Sequence, residues 1–351
     1  MSETITSAKA LLQKLPRQSL GFFPTPLHKL ERLSRELGVN LYIKRDDMTG
    51  MSLFGGNKVR KLEFLMGDAV AKGCESVITY GATQSNHAMQ TATAARRCGL
   101  HPILYLVAIV EPKMEDLRAN LLLDHILGAE VHVVPLDGGT EDEAEARSFV
   151  MGAEHARRLT ESGHPCYDVP MGGASPIGSV GFISGYVELE EQLAAMGVQA
   201  DYVFHGTGTG GTMAGLMAGH NLLGSAAKVV SIAVSPKDPE YETRTAALAN
   251  KALGLLGADA SVSPADFQVE RGYYAPGYEI PNEGGNAAIR RLAREEGIFT
   301  DTVYSGKAFY GLLDQVESGK VPQGSNVVFW HTGGATALFA EKPIIGDLAE
   351  K

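Results

Sequence analysis

The sequence predicts an α/β protein: open, twisted, mostly parallel sheets covered by helices on both faces, with a ligand held in a cleft. Three observations predict it. Short runs rich in β-branched residues recur, amphipathic helical segments separate them, and Gly, Ser or Asn clusters stand where strand gives way to helix. At 351 residues the chain also exceeds what one hydrophobic core usually supports, so two units sharing a cleft are expected.

In chain order the strand candidates are YIKRDD (42–47), SVITY (76–80), PILYLVAIV (102–110), EVHVVPL (130–136), DYVFHG (201–206), KVVSIAVS (228–235) and NVVFWHTGG (326–334). Helices are expected over 57–72, 85–98, 141–162 and 209–222. Turns from strand into helix are where open parallel sheets bind ligands, because N–H groups at a helix start point into the crevice. The opening MSETITSAKALLQKLPRQ is polar and amphipathic and reads as neither signal peptide nor anchor. No segment approaches the ~20 apolar residues of a membrane-spanning helix.

With 44% hydrophobic and 21% charged residues, the composition is that of a globular enzyme. A formal net charge of -10 argues against nucleic acid, whose phosphates demand a basic face. The densest basic spot, Lys58, Arg60 and Lys61, is too short for such a tract. Cys74, Cys98 and Cys166 are widely spaced and odd in number, matching neither a disulfide framework nor a zinc cluster. A reducing cytoplasm and no metal site are the expectation. The acidic run Glu141, Asp142, Glu143 and Glu145 reads as a solvated helix face.

Four constellations carry chemistry. In YIKRDDMTGMSLFGGNKVRKLEFL a glycine turn, Gly55 and Gly56, leads through Asn57 into a helix bearing Lys58. Such a lysine is either one more amine on an amphipathic helix or, with a lowered pKa, a Schiff-base former; Lys61 competes for the role. The nucleotide loop Gly-x-x-x-x-Gly-Lys-Ser/Thr is absent, since Asn57 intervenes and Val59 follows. In YGATQSNHAMQ (80–90), Ser85 and Asn86 open a helix, as an anion grip or as a plain N-cap, with His87 beside them.

The third, HGTGTGGTMAG (205–215), sets Gly206, Gly208, Gly210 and Gly211 for close backbone approach, with Thr207, Thr209 and Thr212 as hydroxyl donors to a phosphate ester. A dinucleotide fingerprint would want an acid closing the next strand, which instead ends at Ser235. The fourth comprises YYAPGYEIPNEGG (273–285), DTVYSGKAF (301–309) and FWHTGGATALFA (329–340). Tyr278 and Tyr304 lie in turn contexts suited to protonating a leaving group, or simply pack; Thr332 precedes Gly333 and Gly334, where a hydroxyl can face a cleft.

Together GGNKVRKLEFL, GATQSNH, GTGTGGT, APGY, VYSGK and HTGG resemble, in order and across positions 24 to 340, the pyridoxal-phosphate family containing D-cysteine desulfhydrase and 1-aminocyclopropane-1-carboxylate deaminase. Their joint occurrence is far more specific than any one piece. The resemblance implies fold type II: a larger cofactor-binding domain from 1–60 and 171–351, a smaller α/β domain from 61–170 inserted in it, and pyridoxal 5'-phosphate between them. It implies that Lys58 carries the cofactor, Ser85 and Asn86 grip the substrate carboxylate and the cofactor's phenolic oxygen, and Gly206 through Thr212 hold the phosphate. Lys58 would then remove the substrate Cα proton, with the cofactor as electron sink. Loss of the β-substituent leads to a keto acid, pyruvate for a cysteine-type substrate, and ammonia. A cytoplasmic homodimer is also implied.

Two departures bear on the substrate. The deaminase pattern carries an acid at the position of Ser305, where it charges the pyridine nitrogen; here that nitrogen would face a hydroxyl, Thr332, which favours simple elimination. Desulfhydrase-like members often carry Arg at the position of Met89, and its absence counts against D-cysteine. L-cysteate sulfo-lyase, 3-chloro-D-alanine dehydrochlorination and D-serine-type dehydration stay open. A nucleotide-dependent oxidoreductase and a catalytically silent ligand-binding protein of the same fold are the readings outside the class.

Overall fold

We describe residues 2–51, 55–109, 111–113, 115 and 117–339 in a computed structural model of the chain. Val110 of the expected 102–110 strand, residues 52–54 of the turn before Gly55, and Ala340 lie outside these residues. The chain begins with α1 (Ser2–Leu12), β1 (Leu27–Lys29), α2 (Glu31–Leu37) and β2 (Asn40–Arg45). It continues through α3 (Lys58–Ala71), β3 (Ser76–Ala82), α4 (Asn86–Arg97), β4 (His101–Ala108), α5 (Ala119–Ile126), β5 (Glu130–Pro135), α6 (Glu141–Glu161) and β6 (Cys166–Val169). The remainder is α7 (Pro176–Met196), β7 (Tyr202–Thr207), α8 (Gly211–Leu223), β8 (Lys228–Ala233), α9 (Tyr241–Leu256), β9 (Gln268–Glu270), α10 (Glu283–Glu296), α11 (Ser305–Glu317) and β10 (Asn326–His331).

Two sheets result. One has six strands in the order β1-β2-β10-β7-β8-β9, the other four in the order β5-β4-β3-β6. Every pairing is parallel except β1 with β2. The α/β expectation is thus met. Each strand read from the sequence falls on an observed one, with His331, rather than Gly334, ending the last.

Apolar runs form these strands because both faces are covered. On the six-stranded sheet Val328 and Trp330 enter the core beneath α1, α7, α8 and α9, whereas Val327 and Phe329 enter the core beneath α2, α10 and α11. On the four-stranded sheet Ile78, Ile103 and Val134 meet α6, while Val77 and Leu104 face α3, α4 and α5. Glycines bring α7 and α8 into backbone contact: a Cβ on Gly215 would lie 2.3 Å from Ser179 O and 2.5 Å from Phe182 Cβ. The acidic run opens α6 as expected, and Thr140 and Glu143 close a capping box there.

The basic cluster is not a surface patch. Arg60 and Lys61 are buried on α3. The Arg60 guanidinium donates to both Asp46 oxygens (2.7 and 2.8 Å), both Glu188 oxygens (2.9 and 3.0 Å) and Thr25 Oγ1 (3.0 Å). Lys44 Nζ donates to Glu188 at 2.5 Å, and the Trp330 indole N–H donates to Asp46 at 2.7 Å. This network fastens the helix carrying Lys58 to β2, α7 and β10.

Candidate active site

Lys58 is the first residue of α3, and the turn before it is locked from both sides. Gly56 pairs with Gly333 as a β-bridge, where a Cβ on Gly333 would lie 2.8 Å from Gly56 Cα; no larger residue fits there. Asn57 N–H donates to Thr332 O (2.9 Å) and its side-chain Nδ2 donates to Thr212 Oγ1 (3.1 Å). Lys58 Nζ donates to Asn57 Oδ1 (2.9 Å) and lies 5.7 Å from the centre of the Tyr304 ring. Burial holds its pKa down to about 8, against the opposing pull of Asp301. Near neutrality a share of this amine is therefore free base.

At the end of β3, Ser85 caps α4 by accepting from Ala88 N–H (3.2 Å), and Met89 N–H bonds Ser85 O (3.2 Å). The N–H groups of Asn86 and His87 at the helix start have no partner among the described residues, as the first N–H groups of a helix do. Asn86 Oδ1 accepts from Asn120 (2.8 Å) and Thr336 (2.8 Å), so its amide nitrogen is the end left for a ligand. The His87 ring is buried against β3, with Nε2 2.8 Å from Thr79 Oγ1, and burial pushes its pKa well down. It backs this turn as a neutral ring. Met89 is buried, with the Thr93 hydroxyl 3.7 Å from its sulfur, so this position packs the core and does not charge the cleft.

At the end of β7, Gly210 adopts φ +90° and α8 starts without a side-chain cap, which leaves its first N–H groups for an anion. Thr212 is buried beside Asn57, whereas Thr209 is exposed. Thr207 is engaged elsewhere: its hydroxyl lies 2.7 Å from Tyr241 OH, which donates to Gly208 O (3.0 Å), so it serves the loop rather than a ligand. A Cβ on Gly206 would come within 3.3 Å of Tyr304 O, and one on Gly208 within 3.8 Å of the Tyr304 ring. The loop and the tyrosine thus share one site.

Tyr304 stands at the start of α11, and its hydroxyl is hydrogen bonded to that of Tyr278. Burial raises both phenols, Tyr304 to about 12, so both stay protonated near neutrality and either hydroxyl holds a proton for a leaving group. Ser305 is buried; its hydroxyl reaches Asp301 (2.5 Å) and Gly333 O (3.1 Å). The Thr332 hydroxyl has no partner among the described residues.

Two contributors, Asp301 and Lys307, went unread in the sequence, and a third, Lys61, was read only as a rival to Lys58. Asp301 is fully buried, accepts from the N–H groups of Val303, Tyr304 and Ser305 (2.7 to 2.9 Å), and so fixes the start of α11. Lys307 Nζ donates to the carbonyls of Gly277 (2.7 Å) and Tyr278 (2.9 Å), tying the loop of one tyrosine to the helix of the other. The signal was there, since Lys307 ends VYSGK. Lys61 donates to Gly172 O (3.0 Å), and its pKa is driven well down by burial and then by Lys58. A Cβ on Gly211 would stand 3.0 Å from Lys61 Nζ.

These residues fit a phosphate-bearing carbonyl cofactor. An amine held near 8 waits for a carbonyl, and a bare glycine helix start with a buried lysine against it waits for an anion. The family model described as pyridoxal-phosphate dependent enzyme matches residues 18–333. A Pyrococcus abyssi protein provisionally named 1-aminocyclopropane-1-carboxylate deaminase is 40% identical over 94% of this chain and 95% of its own. A Yersinia enterocolitica D-cysteine desulfhydrase is likewise 40% identical, over 95% of this chain and 98% of its own. A solved structure described as an ACC deaminase homologue superposes with a TM-score of 0.84 at 38% identity, covering 97% of this chain and 98% of that one.

Proposed function

The chain belongs to the pyridoxal-phosphate dependent enzymes, among relatives named as 1-aminocyclopropane-1-carboxylate deaminases and D-cysteine desulfhydrases, and from that premise we propose an α,β-elimination on a small amino acid. D-cysteine is the substrate we favour, giving pyruvate, hydrogen sulfide and ammonia. One observation carries the reading: a lysine amine with its pKa near 8 lies over the ring of a tyrosine whose hydroxyl bonds a second tyrosine. Base and acid thus stand at one place.

Lys58 would carry the cofactor; Gly208 through Thr212 and Lys61 would hold its phosphate, with Thr207 shaping that loop through Tyr241, while Asn86 would meet its phenolic oxygen and Thr332 its ring nitrogen. When bound, the cofactor supplies the electron sink. Ser85 and the open N–H groups at the start of α4 take the substrate carboxylate. The Lys58 amine takes the Cα proton, and its lowered pKa keeps part of it unprotonated for that step. Tyr304, whose ring lies beneath the Lys58 amine, hands a proton to the leaving sulfur, while Tyr278 orients it through their shared hydrogen bond.

Ser305 supports elimination over ring opening. Its hydroxyl is taken up by Asp301 and Gly333, so the ring nitrogen is left to Thr332, which cannot carry formal negative charge. Burial of Met89 removes the objection that a cation is missing from the cleft. The deaminase is the second reading, favoured by the Asp301 carboxylate directly behind Ser305. Cytoplasmic placement and a homodimer belong to the same proposal, and light scattering tests the latter. No helix among the described residues is long and apolar enough to cross a membrane.

The test is a panel of D- and L-cysteine, L-cysteate, 3-chloro-D-alanine, D-serine and 1-aminocyclopropane-1-carboxylate, scored for keto acid and ammonia. Sulfide and pyruvate from D-cysteine are expected. A keto acid from the cyclopropane substrate alone would shift the assignment to deaminase.

A further inference from the structure

Strand β5 is the outer strand of the four-stranded sheet, and the beginning of its α6 face is polar. Glu130 and His132 stand two residues apart and so share that face, next to Val134, which enters the core under α6. His155 belongs to α6, which covers the face. One ligand atom each from Glu130, His132 and His155 all lie within 4.8 Å of one another. Glu130 Oε1 is 2.7 Å from His132 Nε2, and its other oxygen is 3.3 Å from His101 Nε2 on β4. Side chains here are 36% to 46% exposed, so an ion can arrive from solvent.

The imidazoles are held in place. Tyr105 is the register partner of His132 on β4 and stacks on it, centroids 4.5 Å apart and planes 11° apart. The Tyr105 hydroxyl lies 3.2 Å from Nδ1 of His155, which leaves the other ring nitrogen of His155 without a partner among the described residues. One tyrosine thus orients both histidines, as a hydrogen-bonded partner does for metal-ligating imidazole.

We propose that Glu130, His132 and His155 form a transition-metal site of the zinc class that clips β5 to α6. Two imidazoles and a carboxylate are a known donor set for zinc, with water completing the tetrahedron. Bonds of about 2.0–2.1 Å place tetrahedral ligands roughly 3.3 Å apart. The Glu130–His132 contact would therefore open by about 0.6 Å, within reach of side-chain torsions alone. The site lies on the face of the sheet opposite α4, away from the start of that helix with its Ser85 and Asn86, and is independent of the cofactor chemistry. The sequence showed no metal signature because His132 and His155 are far apart in the chain and no cysteine is involved.

The experiment titrates the cofactor-loaded enzyme with zinc chloride by calorimetry, with cobalt absorption reporting the geometry and thermal unfolding as a second readout. One equivalent should bind with micromolar affinity and raise the unfolding temperature. His132→Gln and His155→Gln should each weaken binding roughly tenfold or more, and Tyr105→Phe about tenfold, while elimination activity stays unchanged in all three. Absence of saturable binding below millimolar zinc overturns the site. So does unchanged affinity in the His132→Gln/His155→Gln double variant, which would place the metal elsewhere.

Discussion

Replacing Arg60 by Ala removes a guanidinium that makes five hydrogen bonds, four of them to carboxylate oxygens. Arg60 and Asp46 side chains are 2% and 0% exposed and Glu188 is 13% exposed, so water cannot replace what is lost. Among the described residues Asp46 would keep Thr25 and the Trp330 indole, and Glu188 would keep Lys44 and the N–H and hydroxyl of Thr25. Breaking a buried pair by removing one partner costs about 3–5 kcal/mol, mostly from the charge left behind. A Cβ on Gly181 would sit 2.2 Å from Arg60 O, so α3 and α7 are in backbone contact at this residue and the loss should propagate to Lys58. Urea unfolding of the cofactor-loaded enzyme should show that loss, together with weaker cofactor retention. Arg60→Met combined with Asp46→Asn should recover a large part, because Glu188 keeps its ion pair with Lys44 and no charge is then orphaned. A loss below ~1 kcal/mol for Arg60→Ala, or no recovery in the double variant, would refute the argument.

Further outcomes follow from the same geometry. Purified enzyme should be yellow, with a visible band that borohydride removes; Lys58→Ala should lack it, and a colourless wild type insensitive to added cofactor would sink the assignment. Tyr304→Phe should cut kcat by about 10²–10⁴-fold, and Tyr278→Phe by less, with the reverse order making Tyr278 the acid. Glu188 is buried, which raises its pKa, yet Arg60 and then Lys44 outweigh this and hold it at about 2, below the 4.5 of a free glutamate. Its pairing therefore stabilises the fold fully above pH ~4.5 and is lost as pH falls through about 2. That amounts to about 3 kcal/mol, which urea midpoints between those pH values should show and Glu188→Gln should abolish.

The α/β class and the order of the principal strands were legible in the chain because runs such as NVVFWH, apolar on both faces, are stable only inside a covered parallel sheet. The motif residues were legible one by one for a similar reason: a glycine where backbones touch, or a serine at a helix start, answers to local geometry. Helix α7 was not singled out. It is apolar around most of its surface because α3 and α8 pack against it, so it lacks the amphipathic period that marks a surface helix. Its neighbours, and not its own sequence, explain that composition.

Tertiary structure alone decided which polar residues are taken up by contacts within the fold. Arg60, one turn position from Lys61, is consumed by Asp46 and Glu188, both distant from it in sequence. Thr207 turns to Tyr241 while Thr212 turns to Asn57, although both sit in one glycine loop. Met89 proved to be core. The sequence by itself determined that a lysine behind a glycine turn, a serine-capped helix start and a glycine-rich loop are present, since each follows from a local turn. Their convergence on Tyr304 and Tyr278, with the depressed amine of Lys58 over a phenol, depends on burial and long-range packing, which act through space and leave no local pattern.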